Sequence, residues 1–206
     1  MGLGRTERLD GTYVDSYLNP LDHEMEQQGI EMVRYADDWL ILCRSQAEAE
    51  KALELVRQWT ASTGLQLHPD KTRIVDATQR GGFDFLGYHF ERNMRWPRKK
   101  RLKKFKDTIR ANTKRTNGCS LQTIIENVNR TSRGWFEYFK HSHRTTFLPL
   151  DKWIRMRIRS ILRRRTGRRG RGRGRDHQRW PNAFFSAHGL FSLVTAHAQA
   201  CQSCRR

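Results

Sequence analysis

Two apolar runs of strand length, separated by one short corner, constrain this chain more than any other feature. Ile30-Glu31-Met32-Val33-Arg34-Tyr35 and Trp39-Leu40-Ile41-Leu42-Cys43 flank only Ala36-Asp37-Asp38. So short a connection points to an antiparallel β-hairpin, with Asp37 and Asp38 expected at its tip. Adjacent carboxylates repel, raise each other's pKa and add nothing to a core, so a divalent cation is their natural stabiliser. An all-oxygen donor set of this kind suits Mg2+. A plain polar turn is the alternative, since Asp is common in turns.

Around the hairpin the pattern is that of an α+β segment. Residues 1–16 carry no periodicity and read as a frayed start, followed by a short helix over residues 17–29 with Pro20 early and Gly29 at its end. Ser45 and Glu48 fit a capping box, opening a helix with Ala49, Ala52, Leu53, Val56 and Trp59 on one stripe that stops near Gly64. Residues 65–68 and 72–76 read as short strands around the turn Pro69-Asp70-Lys71, and residues 83–90 as a further strand pair. The expected first domain is residues 1–92.

Beyond Pro97 the apolar period changes from 2 to 3.6. Four helices are expected: one through Leu102, Phe105 and Ile109; one through Leu121, Ile124, Ile125 and Val128, capped by Ser120; one through Trp135, Tyr138 and Phe139; and one capped by Asp151 through Trp153, Ile154, Ile158 and Ile161. They make a bundle over residues 93–165. The run Arg163-Arg164-Arg165-Thr166-Gly167-Arg168-Arg169-Gly170-Arg171-Gly172-Arg173-Gly174-Arg175 cannot bury apolar surface, so residues 166–179 are expected to form a flexible tether. Residues 180–206 hold enough aromatics to dock back onto the bundle.

Charge divides along the same line. Residues 1–90 hold 9 Lys/Arg against 15 Asp/Glu, and the remainder 31 against 6, within an overall net charge of +19. An acidic first part and a strongly basic second part suggest chemistry in one place and polyanion binding in the other. The candidate polyanion contacts are Arg98, Lys99, Lys100, Arg101, Lys103 and Lys104, then Arg155, Arg159 and Arg163, which point away from the bundle's apolar stripe, and Arg164 and Arg165 after them. Trp135 and Trp153 are expected in the core rather than stacked on bases. No apolar run is long enough to cross a bilayer and no signal-peptide segment opens the chain, so a soluble, cytoplasmic protein without a membrane partner is expected. Cys43, Cys119, Cys201 and Cys204 make no disulfide framework. His188, His197, Cys201 and Cys204 could ligate zinc, but a single terminal Cys-x-x-Cys lacks the second pair of a zinc pattern. The sequence shows no Ser/His/Asp arrangement and no phosphate-cradling Gly loop.

Tyr35-Ala36-Asp37-Asp38-Trp39, then Gly64-Leu65-Gln66-Leu67-His68-Pro69-Asp70-Lys71-Thr72, then Phe83-Asp84-Phe85-Leu86-Gly87-Tyr88 follow one another as in group II intron reverse transcriptases. Ser132-Arg133-Gly134-Trp135-Phe136-Glu137-Tyr138-Phe139 is similar to the maturase-specific (thumb, or X) domain of the same family. The resemblance spans residues 17–195 and implies a partial palm followed by a maturase bundle. It also implies that Asp37 and Asp38 hold catalytic Mg2+ and that Tyr35 lies at the nucleotide and primer site. Lys71 is implied near the incoming nucleotide's phosphates, and Phe85, Leu86 and Gly87 on a primer-gripping hairpin. Intron RNA is the implied partner, with a DNA target or primer beside it.

The chain departs from the family in one respect that bears on catalysis. In-line nucleotide transfer across two metal ions about 4 Å apart needs a third carboxylate on a preceding strand. Asp10 and Asp15 stand in unpatterned sequence and Asp22 in a helix. The Gly/Gln-rich loop that the family places before Leu18-Asn19-Pro20-Leu21-Asp22 is also missing. The expectation is therefore a fragment that binds intron RNA and assists splicing without polymerising DNA alone. Two alternatives stay open: half of a split polymerase completed by a separate N-terminal piece, and a generic basic RNA or DNA binder.

Overall fold

The structure, a computed structural model, describes residues 11–36, 38–69 and 72–203, with side chains from Leu18 onward. The fold is α+β, and the chain divides into two compact units, Met1–Asp76 and Ala77–Arg206.

The first unit opens with α1 (Gly11–Gln27), which begins six residues before the expected start. Pro20 lies inside it and removes one backbone donor. Leu21 and Met25, one turn apart and almost wholly buried, hold the helix across that gap by packing on Val56. The helix ends at Gly29 (φ 68°), where Ile30 N–H returns to Met25 O. β1 (Glu31–Tyr35) and β2 (Asp38–Leu42) follow as the antiparallel pair, with Tyr35 opposite Asp38. This register corrects the expected tip: Asp38 already belongs to β2, opposite Tyr35, and Ala36 takes φ 54° at the corner, while Asp37 lies outside the described residues. Met32 and Ile41 face the core with Trp39, while Val33, Tyr35 and Leu42 stand exposed on the opposite face.

α2 (Gln46–Ser62) begins as its sequence predicts: Ser45 Oγ accepts from Glu48 N–H at 3.2 Å, and Glu48 Oε2 accepts from Arg44 N–H at 2.7 Å. Ala52, Val56 and Thr60 form its buried line, and Gly64 (φ 73°) terminates it. Residues 65–68 and 72–76 are not strands, because the described residues offer their backbones no ladder partner. A turn does close there, with Thr72 N–H on His68 O.

The second unit begins with a three-stranded meander, β3 (Phe83–Phe85), β4 (Tyr88–Glu91) and β5 (Met94–Pro97). Leu86-Gly87 and Arg92-Asn93 make the two turns with all four residues at positive φ, the geometry of two-residue hairpins. β5 escaped the sequence reading, although Asn93 was a turn signal. The meander belongs to the same compact unit as the helices, Ala77–Arg206.

α3 (Lys99–Asn112) follows Pro97 directly. α4 (Leu121–Phe139), capped by Ser120, is one helix where two were expected. Its buried line runs unbroken through Ile124, Val128, Ser132, Phe136 and Phe139, and the polar Ser132 in the middle had disguised the continuity. α5 (Phe147–Arg165) starts four residues before Asp151, which sits inside the helix instead of capping it. α6 (Arg175–Arg179), α7 (Asn182–Ala187) and α8 (Leu193–Ser203) complete the chain. Trp180, Phe185 and Leu193 enter the same core as Ile124, Ile154 and Ile158. Burying a side chain of this size contributes about 1.5–3 kcal/mol, which holds the C-terminal segment to the bundle.

Candidate nucleic-acid interface and acidic hairpin

At the hairpin, Arg34 lies on the inward face of β1, only 11% exposed, and reaches back to α1. Its Nε and Nη2 bond both carboxylate oxygens of Asp22 at 2.6–3.0 Å, and its Nη1 donates to Ala36 O at 3.4 Å. This bidentate fork ties the acidic corner to the helix and commits the Asp22 carboxylate to Arg34. Asp38 and Tyr35 are exposed, Tyr35 by 67%. Among the described residues no group of three or more His, Cys, Asp or Glu could hold a metal ion. Among the described residues the corner contributes the exposed carboxylate of Asp38. Asp37 and Lys71 both lie outside the described residues.

In the second unit, Phe85, Leu86 and Gly87 form the β3–β4 turn, held against α4 in a way the sequence did not disclose. Tyr138 Oη donates to Leu86 O, Tyr88 Oη donates to Tyr138 O, and the two rings stack at 6.0 Å. Arg98 N–H closes the turn from the other side on Gly87 O at 2.9 Å. Burial pushes the Tyr88 phenol above its usual pKa, partly countered by the Arg95 charge. Arg98 also pairs with Asp84, Nε to Oδ2 at 2.7 Å, while His89 Nδ1 meets the other oxygen of Asp84 at 2.8 Å.

The eleven predicted RNA contacts separate into two groups. Arg98, Lys99, Lys100, Arg101, Lys103 and Lys104 are exposed along the first turns of α3, and Arg164 and Arg165 are exposed at the end of α5, where Arg165 Nη2 also donates to Cys119 O. Arg159 is a correction, while Arg155 and Arg163 are partly exposed. Arg159 is 2% exposed; its Nε donates to Trp180 O at 2.8 Å, its Nη2 to Asn182 Oδ1 at 3.0 Å, and its guanidinium lies 4.8 Å over the Phe185 ring. Arg163 bonds buried Asp176 at 2.6 Å, and half-buried Arg155 lies 4.0 Å from Asp151. Arg157, which the sequence did not single out, donates to Thr113 Oγ1 and Thr113 O beyond the C-terminus of α3. A cation at that end of a helix is favourable. Arg159 and Arg163 fasten α5 to the C-terminal segment and Arg157 fastens it to the end of α3.

Asp151 takes the converse role. Its carboxylate, 3% exposed, accepts from Leu193 N–H (3.1 Å), Val194 N–H (3.2 Å) and Ser192 Oγ (2.8 Å), so it caps α8 from another helix. Burial opposes the Asp176 charge, but the Arg163 hydrogen bond, the Arg173 N–H and the nearby positive charges outweigh it and hold its pKa below the usual value. Trp135 and Trp153 pack on the core, as expected. Cys201 lies one turn from His197 on α8, with Sγ 3.7 Å from Nε2, while His188 Nδ1 pairs with Phe184 O; Cys204 is outside the described residues. Burial lowers the His197 pKa, partly offset by a backbone hydrogen bond to Ser142. No helix among the described residues is long and apolar enough to cross a membrane.

An acidic β-hairpin followed by a basic helical unit corresponds to the reverse-transcriptase class. Family models agree: reverse transcriptase (RNA-dependent DNA polymerase) matches residues 11–90, and the group II intron maturase-specific domain matches residues 102–180. The chain belongs to the group II intron reverse transcriptase/maturase family. Comparison with curated proteins returned no match.

Proposed function

We propose that the chain binds group II intron RNA through its second unit and assists splicing, and that it does not polymerise DNA alone. The observation that carries this reading is the exposed cationic face of α3, from Arg98 to Lys104, which adjoins and enters the maturase-specific match. Arg98 is already paired with Asp84, and the five cations that follow it, Lys99 to Lys104, neutralise phosphates along two helical turns, with release of condensed counterions driving such binding. The Tyr138–Leu86 clamp supports a second element of the reading: the turn matched to the primer grip is braced by the maturase helix, so RNA held at α3 is held near a rigid turn.

Chemistry at Asp37 and Asp38 belongs to the family's Mg2+-dependent mechanism. On this reading it needs a further carboxylate, since Asp22 is engaged by Arg34. The second reading, a polymerase completed by a separate chain, is favoured by the exposed apolar face of the hairpin, Val33, Tyr35 and Leu42. Anisotropy titration of a folded group II intron against unrelated RNA at matched salt tests the first reading. Equal affinity for both RNAs would reduce the chain to a general polyanion binder. Primer extension with Mg2+ and dNTPs, by the chain alone and after mixing with a fingers-and-palm piece, tests the second. Extension by the isolated chain overturns the claim that the acidic corner is incomplete.

A further inference from the structure

The Arg/Gly run between α5 and α6 was expected to be a tether, yet it is fastened at successive points. Gly172 is buried, and its N–H donates to Ser160 Oγ at 3.1 Å. A Cβ at Gly172 would stand 2.6 Å from Arg159 Cβ, so only glycine seats the chain there without displacement. Arg163 reaches across the run, its Nε donating to Arg169 O at 2.9 Å while Nη1 holds Asp176. Asp176 in turn accepts from Arg173 N–H at 3.2 Å. Gly167, Gly170 and Gly174 take positive φ and turn the chain between these points.

Arg159, Arg163 and Asp176 form a frame, and the frame displays other arginines. Arg168, Arg169, Arg171, Arg173 and Arg175 are all exposed. No acidic residue lies between Asp151 and Asp176, and Asp176 is itself buried and paired. The run also has no aromatic side chain, so it has no platform for stacking bases. The intervening glycines leave its backbone open to close approach. A surface with many guanidinium forks and no base-reading group fits phosphodiester oxygens.

We propose that residues 166–175 are a pre-formed loop that grips the phosphodiester backbone of folded RNA without regard to sequence. The proposal rests on the RNA-binding reading and extends it from α3 to a segment expected to be a mere linker. Because the loop is pinned before RNA arrives, little ordering cost falls on binding.

The test is fluorescence anisotropy of the full chain with a labelled RNA hairpin across a salt series. Replacing Arg168, Arg169, Arg171 and Arg173 together by Ala should weaken binding on the order of 10²-fold near 0.1 M salt. The same change should reduce the salt slope by about 3. Gly172→Ala, which alters no charge, should weaken binding several-fold by displacing the loop. Phenylglyoxal modification of the unaltered chain supplies a readout that does not depend on any variant folding: bound RNA should protect Arg168 to Arg173. If the unaltered chain ignores RNA, the functional reading itself fails. If it binds RNA but the fourfold variant keeps the same slope, or RNA leaves these arginines open to modification, the loop proposal is overturned while RNA binding stands. Gly172→Ala, correctly folded and binding as tightly as the unaltered chain, would overturn the pre-formed character of the loop.

Discussion

Replacing Arg159 by Ala separates a fastening arginine from an RNA-contacting one. The side chain is 2% exposed and donates two hydrogen bonds, to Trp180 O and Asn182 Oδ1, while covering the Phe185 ring. Hydrogen bonds from a charged donor contribute about 1.5–3 kcal/mol, and a desolvated cation–π contact about 1–2 kcal/mol. Relief of the buried cation's desolvation offsets part of this, by several kcal/mol at most. Loss of the stem's packing and the unpaired Trp180 carbonyl push the other way, leaving a net destabilisation of about 2–4 kcal/mol. That is a large part of the roughly 5–15 kcal/mol that stabilises a domain. Arg159→Lys keeps the charge but not the planar fork, and should lose most of the same stability. Exposed Arg164→Ala should stay within about 0.5 kcal/mol in stability while lowering the RNA salt slope by about 1. Urea denaturation paired with the anisotropy salt series reads both quantities. A normal denaturation midpoint for Arg159→Ala, together with a salt slope reduced by about 1, would show that the side chain meets RNA and that the fastening assignment is wrong.

Three further outcomes follow from the same contacts. Asp176 has a folded-state pKa below its unfolded value, so its pairing stabilises fully above about pH 4 and is lost as pH falls through the lower folded value. The stability gap between the natural chain and Asp176→Asn should accordingly be constant near neutrality and shrink only as acid takes the pH below the ordinary carboxylate range; a gap that grows with acid would contradict the sign. Asp151→Ala should destabilise by about 2–4 kcal/mol and speed amide exchange first at Leu193 and Val194, whose donors it leaves unpaired; unchanged exchange there would refute the capping role. Tyr138→Phe keeps the stacked ring but removes the donor to Leu86 O, so it should cost about 0.5–1.5 kcal/mol and raise amide exchange in the β3–β4 hairpin, and an unaffected hairpin would mean the hydroxyl is idle.

Local pattern was enough for several features whose cause lies within a few residues. The β1–β2 hairpin follows from two short apolar runs with no room for another connection, and the start of α2 from Ser45 and Glu48. The start of α4 follows from Ser120 in the same way. The acidic and basic halves are likewise a property of composition, and they pointed to polyanion binding before any coordinates. Where a helix interior carried one polar residue, as at Ser132, local pattern misled, because burial against other elements and not hydrophobicity alone kept α4 continuous.

What tertiary structure decided was the use of charge. Arginine reads the same in sequence whether it meets water, phosphate or a carbonyl, and nothing within a turn of Arg159 says that Trp180, 21 residues on, will take its hydrogen bond. Asp151 looked like the cap of its own helix and caps one more than 40 residues away. The glycine-arginine run looked free because it holds no apolar side chain, yet polar bonds to Ser160, Arg163 and Asp176 pin it. Burial and distance set the worth of a charge, and both are created only when remote parts of the chain meet.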